Sequence, residues 1–306
     1  MGTLNYIKMA PFLGIVGYGG GSSGLTLTAS ALLAAWAGGR GVFGNAASID
    51  YITIQTTGNA TDFGSLAHNR SGIAALSNVS RGVFGGGGSD MDYITIGSTG
   101  NATDFGDLPS GQTYPGSASN GTRGCFAGGT GTMNEISYIT IASTGNASDF
   151  GDLSTGRNSL AGCADFTRGC FGGGWSGPQM DLIDYITFAS TGNATDFGDL
   201  AWNRSALGGA SNLLSGFFFG GNNGGAGNNI DKITIATTGN AADYGDLTVA
   251  RHYLAGTSDG LDRAIAAGGQ ESQATIDYWG MSSSQNASDF GDLTEHMVSL
   301  GSKSGA

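Results

Sequence analysis

From about residue 40 onward the chain repeats one short pattern of apolar and polar positions. Tyr93-Ile94-Thr95-Ile96 alternates with period two and is rich in β-branched residues, as a half-buried strand requires. The same alternation returns at Ile52/Ile54, Ile139/Ile141, Ile186/Phe188 and Ile233/Ile235. Around it, each unit reads as four short strands. In the second unit these are Ser71–Leu76, Arg81–Gly86, Asp92–Ile96 and Thr103–Leu108. A Thr-Gly-Asn turn leads into the last strand of each unit, where Gly and Asn take positive φ at little steric cost.

The period is easy to measure. Gly58-Asn59-Ala60-Thr61-Asp62-Phe63-Gly64 recurs from Gly100, Gly145 and Gly192, with variants at Gly239 and Gln285. The repeated asparagines Asn59, Asn101, Asn146, Asn193, Asn240 and Asn286 are 42, 45, 47, 47 and 46 residues apart. Four-stranded units of that length fit propeller blades better than solenoid coils, whose periods are generally shorter. The expectation is an all-β, six-bladed β-propeller over residues 39–306, preceded by an apolar, Gly-rich arm over residues 1–38. The first unit begins at its second strand, Arg40-Gly41-Val42-Phe43, so its inner strand must come from elsewhere. The C-terminal run Met297-Val298-Ser299-Leu300-Gly301 fits that place, with Leu300 in the position of Leu254. Ser30–Ala35 is the rival, and the C-terminal strand is preferred, so that the two chain termini close the ring.

A basic residue, an inner strand, a double glycine, a Tyr-bearing strand and an aromatic opening the outer strand appear as Arg70, Gly85-Gly86, Tyr93 and Phe105. They appear again as Arg157, Gly172-Gly173, Tyr185 and Phe197. This order resembles kelch repeats, with Phe or Tyr where kelch units usually carry Trp. The fifth unit has Lys232 for the Tyr, and the sixth puts Trp279 where its sisters have Ile.

Composition narrows the function. Of 306 residues 58 are Gly, against a usual level of about 7%, and Glu and Lys number three each, too few to clothe exposed helices. The net charge of −12 argues against nucleic acid and against anionic membranes, and no run is long and apolar enough for a membrane helix. Cys125, Cys163 and Cys170 lack metal spacing and read as small buried strand residues.

Several motifs that suggest chemistry obey the repeat and are therefore read as scaffold. Asp-Phe-Gly starts the outer strand at Asp62, Asp104, Asp149, Asp196 and Asp289. Arg70, Arg157, Arg204 and Arg251 precede inner strands, while Arg40, Arg81, Arg123, Arg168 and Arg263 start second strands. Both rows are expected to bond carbonyls or the repeated aspartates. Asn-Ala-Thr/Ser is read as a turn rather than a glycan acceptor. Gly19, Gly21 and Gly24 have dinucleotide-loop spacing but no room for a second parallel strand before Arg40. His68, His252 and His296 are taken as surface loop residues. No enzyme, metal or cofactor is expected.

A binding site must break the symmetry, so the candidate ligand-binding residues are Tyr114, Trp175, Asn222, Asn223, Asn228 and Asn229. Trp202, beside an Arg position, is assigned to packing at least as readily as to binding. Phe12, Leu13, Ile15 and Val16 are the candidate docking residues of the arm.

The phrase Asp-Tyr-Ile-Thr-Ile-Ala-Ser-Thr-Gly-Asn-Ala-Thr-Asp-Phe-Gly-Asp-Leu, assembled from units three and four, resembles repeats in structural proteins of tailed bacteriophages, those of marine cyanobacterial phages above all. The resemblance implies a virion protein, a tail fibre, adhesin or head decoration, on the outside of the particle. Its expected partners are other virion proteins, through the arm, and a host surface glycan or receptor, with an oligomer open. The alternative is a secreted or cell-surface carbohydrate-binding propeller.

Overall fold

In the computed structural model, residues 39–270, 274–297 and 301–305 are described. Among these residues the protein is all-β without helices, built of four-stranded blades in a propeller arrangement. Five sheets have four antiparallel strands each: sheet B (residues 73–112), C (116–152), D (161–199), E (208–246) and F (255–292). In sheet D the strands run in chain order from the axis outward, Ala161–Ala164, Arg168–Gly172, Leu182–Thr187 and Thr195–Asp199.

The remaining sheet, A, is three-stranded, in the order Thr61–Arg70, Arg40–Thr53, Gly301–Gly305. Its central strand doubles back at Ala46, which has a φ of 50°. Ile54 N–H then bonds Gly39 O at 2.9 Å, as Ile96 N–H bonds Ser80 O at 2.8 Å in sheet B. A Cβ on Gly41 would lie 3.2 Å from Ile52, as one on Gly82 would lie 3.3 Å from Ile94, its paired residue. Residues 40–44 and 49–53 are thus two passes of one hairpin. On its other side residues 40–44 pair with the C-terminal strand, Gly44 opposite Gly301, in the register that sets Ala267 opposite Ala255 in sheet F. Leu300, the arm residues Phe12, Leu13, Ile15 and Val16, and the rival strand Ser30–Ala35 lie outside the described residues.

Small residues set how closely the inner strands approach. A Cβ on Gly162 would lie 2.1 Å from Ser117 O, and one on Gly209 or Gly256 would lie 2.4 Å from the carbonyl of the preceding blade. Hydroxyls join them further, Ser117 Oγ to Ala75 O and Ser258 Oγ to Ser211 O, both at 2.6 Å.

Between sheets, the repeat explains itself. Each Asn at the outer turn accepts, through Oδ1, a backbone N–H of the neighbouring sheet, as Asn193 does from Asp152 at 3.1 Å. The phenylalanine of Asp-Phe-Gly is buried edge-on to a tyrosine, Phe197 against Tyr185 with centroids 6.0 Å apart. Its glycine lies where a Cβ would strike the next sheet: at Gly151 it would come 2.5 Å from Gly192 O. The triplet is therefore an inter-blade joint. The arginines that start second strands reach the next sheet, Arg123 Nη1 to Phe188 O at 2.6 Å, with the guanidinium 4.5 Å over Tyr138. In sheet E, Ser215 and Lys232 replace that Arg–Tyr pair, and the Tyr244 hydroxyl bonds Gly280 O of sheet F at 2.6 Å. Sheet F meets sheet A by the same means: Arg263 Nη1 to Ile54 O at 2.9 Å, and Asp292 N to Asn59 Oδ1 at 3.1 Å.

Candidate functional site

The arginines that precede inner strands turn inward, toward the sheet whose inner strand they precede. Arg70–Asp92, Arg157–Asp184, Arg204–Asp231 and Arg251–Asp277 are buried ion pairs at 2.8 to 2.9 Å. Arg157 also donates from Nε to Gly173 O at 2.9 Å and from Nη2 to Phe171 O at 3.1 Å. Two sheets depart from this scheme. At sheet C, Gln112, which ends the last strand of sheet B, and Ser137 take the two places, and the fully buried Gln112 amide finds no partner among the described residues. In sheet A, Asp50 keeps the carboxylate while Met297 stands at the arginine position. Among the described residues Asp50 accepts from Thr294 alone, at 2.8 Å from the backbone and 2.7 Å from Oγ1, and burial raises its pKa above the ordinary carboxylate value.

The buried cysteines carry free thiols, and burial pushes Cys125 up to about 12, which keeps it protonated and unreactive. Among the described residues no cluster of three or more His, Cys, Asp or Glu has metal-binding geometry.

What breaks the repeat gathers at one end of the axis. Gly72, Tyr114, Ser159, Ala206 and Tyr253 occupy one repeat position, each at the turn into an inner strand and each at positive φ, between 55° and 70°. They hand a backbone hydrogen bond from blade to blade: Tyr114 N to Gly72 O, Ser159 N to Tyr114 O, Ala206 N to Ser159 O and Tyr253 N to Ala206 O, at 2.7 to 2.8 Å. Left-handed backbone at non-glycine positions carries strain, and this relay supplies the fixed partners that hold it. From sheets C and F the two tyrosine rings reach each other, with centroids 5.4 Å apart. Burial raises the Tyr253 pKa, Tyr114 adds to the rise, and the hydrogen bond with Ser159 opposes it.

Around this floor stands a cavity of about 540 Å³. Trp175 and Asn222 hold equivalent places on its wall, each clamped by two backbone bonds: Trp175 with Asn158 and Asn222 with Ser205, at 2.8 and 3.1 Å. Thr113, Thr130, Gln179 and His252 add further polar groups to the lining. Among the described residues no Asp, Glu, Lys or Arg lines it, in a chain whose net charge is −12. Trp175 leaves 42% of its surface exposed.

Of the six sequence candidates, the structure brings together Tyr114, Trp175 and Asn222. Asn223, Asn228 and Asn229 do not line this mouth. Asn223 closes a tight turn with Gly225, and the carbonyls of Asn228 and Asn229 accept from Leu247 and Gly220 on the scaffold. His252 is buried at the mouth rather than on a surface loop, while His68 and His296 remain partly or fully exposed. Trp202 is 59% exposed, so the packing role is corrected. Tyr253, Asn158 and Gln179 escaped the sequence reading. Tyr253 had a signal, because it falls in the same repeat column as Tyr114.

At the opposite end of the axis the inner strands open into a second cavity of about 420 Å³, bordered by Asn78, Val79, Asn120 and Phe166. Phe166, Leu214 and Leu261 are exposed on the turns of that end. Gly39, where the described chain begins, holds the place of Leu214: its carbonyl accepts from Ile54 as that of Leu214 accepts from Ile235.

No protein-family model matches the chain, and no curated protein matches it.

Proposed function

We propose that the protein is a non-enzymatic structural protein of a tailed-phage particle that displays a propeller on the particle surface for host attachment. The observation that carries this reading is the division of labour among side chains. Residues that obey the repeat are engaged in ion pairs and inter-blade bonds, whereas the repeat-breaking Tyr114, Trp175 and Asn222 converge on one uncharged mouth. The resemblance of the repeated phrase to phage structural proteins supplies the setting.

The two ends of the axis support a polarity. Gly39, which follows the proposed arm in the sequence, lies at the end bearing Phe166, Leu214 and Leu261, an apolar rim of the kind that meets a partner. Docking through that end turns the Trp175 mouth outward. In this reading sheet A is the sixth, kelch-like blade. The hairpin at Ala46, the pairing of residues 40–44 with Gly301–Gly305 and the bonds from sheet F to sheet A support a ring closed by its C-terminal strand.

Mass spectrometry of density-purified phage particles tests the proposal. The chain is expected in the particle band at fixed stoichiometry. Recovery only in the soluble or cell-surface fraction overturns the virion role and favours a secreted or cell-surface lectin, which the same mouth would serve.

A further inference from the structure

Resting on the reading of the Trp175 mouth as a binding site, we propose that its ligand is an uncharged sugar ring, a neutral hexose or N-acetylhexosamine at the end of a glycan. Four observations point to that class.

The first is charge. An acidic sugar, a phosphate or a carboxylate needs a cationic or N–H-rich partner when it leaves water. Among the described residues the mouth contains no Lys or Arg, and the molecule as a whole is strongly anionic. Among the described residues no carboxylate lines the cavity to pair with a cationic ligand either.

The second is the lining itself. Asn158, Gln179 and Asn222 bring amides, and Thr130, Ser159, Ser205 and the two tyrosines bring hydroxyls. Asn158 Oδ1 already accepts from Ser159 Oγ at 2.9 Å, and Asn222 Oδ1 from Gly224 N at 3.1 Å. Those bonds orient both side chains and leave their Nδ2 groups as donors. Amides and hydroxyls that both donate and accept are complementary to a polyol.

Third comes the aromatic wall. The backbone of Trp175 is held by its bonds to Asn158, and 42% of the residue's surface stays open. A half-open indole on an anchored backbone offers a flat apolar face beside polar groups. A pyranose, with one C–H face and an equatorial belt of hydroxyls, matches that combination.

Size is the fourth. About 540 Å³ lies in the range of small-molecule sites, and the Tyr114–Tyr253 contact closes the floor, so that the site admits the end of a chain rather than threading one through the axis.

Saturation-transfer NMR on the full chain tests this. The neutral probes are galactose, glucose, mannose and N-acetylglucosamine; the acidic ones are glucuronate, N-acetylneuraminate and glucose 6-phosphate. At least one neutral probe should bind. Trp175→Ala should weaken it at least about tenfold with the melting temperature unchanged, because the indole supports no core. Trp202→Ala, an exposed tryptophan outside the cavity, should leave binding intact. Trp175-dependent binding of the acidic probes alone would overturn the neutral-sugar assignment and leave the mouth as the binding site. Binding that survives Trp175→Ala, or no binding by any probe, would overturn both.

Discussion

Arg157 and Asp184 are both fully buried, and removing one partner strands the other. In Arg157→Gln, Asp184 keeps only Ser154, through its backbone N–H at 3.2 Å and its hydroxyl at 2.6 Å. The carbonyls of Gly173 and Phe171 lose their donors as well. Breaking a buried ion pair in this way costs about 3–5 kcal/mol. For a domain of this size that corresponds to a fall of roughly 6–10 °C in the melting temperature. Sheet C already contains the alternative, because Gln112 and Ser137 occupy the same two places in a folded blade. The double variant Arg157→Gln/Asp184→Ser should therefore lose only about 1–2 kcal/mol, since no charge remains buried. With either single variant costing about 3–5 kcal/mol, the coupling between the two sites, which is the summed single losses less the double loss, is about 4–9 kcal/mol. Thermal and urea unfolding of the wild type, both single variants and the double variant measure it. Additive losses, with the double variant as damaged as the sum of the singles, would refute the argument that the pair acts as a unit.

Two more perturbations follow from the joints and the unpaired carboxylate. Burial holds the Asp50 pKa above its ordinary value of 3.8, so folding takes up a proton there. Its contribution is most favourable below the unfolded pKa and is lost as pH rises through the folded one. Asp50→Asn should accordingly match or exceed the wild-type melting temperature at pH 7 and flatten its pH dependence above pH 4; calorimetry showing a clear loss at pH 7 would count against this. Gly151→Ala drives a Cβ to 2.5 Å from the Gly192 backbone, in a left-handed region, and should cost roughly 3 kcal/mol or more. Gly225→Ala meets open space on an exposed loop and should stay within about 0.5 kcal/mol, both read by denaturant titration.

Most of the scaffold was legible because every blade reports the same physics independently. Alternation at Ile94/Ile96 and its sisters, the turn at Gly-Asn and the two arginine rows each recur at a fixed offset, and the strands fall where those signals place them. The mouth was only half legible. Tyr114 and Trp175 stood out as breaks in the pattern, but Tyr253 lies 139 positions beyond Tyr114 and meets it only because the propeller arrangement brings the turns into sheets C and F together. Local polarity misled at Asn223, Asn228 and Asn229, where the backbone of the loop rather than the amides does the bonding. Trp202 misled in the opposite sense, since apolar character in a linker says nothing about whether a neighbour covers it. One signal lay in the open: Gln112 changes together with Ser137, and Met297 departs while Asp50 stays, so the buried pairs could have been read down the repeat columns.

The relay of left-handed residues from Gly72 to Tyr253 separates backbone from side chain. Each link is made by main-chain atoms, so Gly, Tyr, Ser and Ala already serve the same joint interchangeably. A mouth built this way can exchange its chemistry one residue at a time without redesigning the barrel beneath it. The same backbone limits the vocabulary, because β-branched side chains fit poorly at positive φ. Variation at these five positions should therefore draw on glycine, small, aromatic and amide residues, and leave Val, Ile and Thr unused.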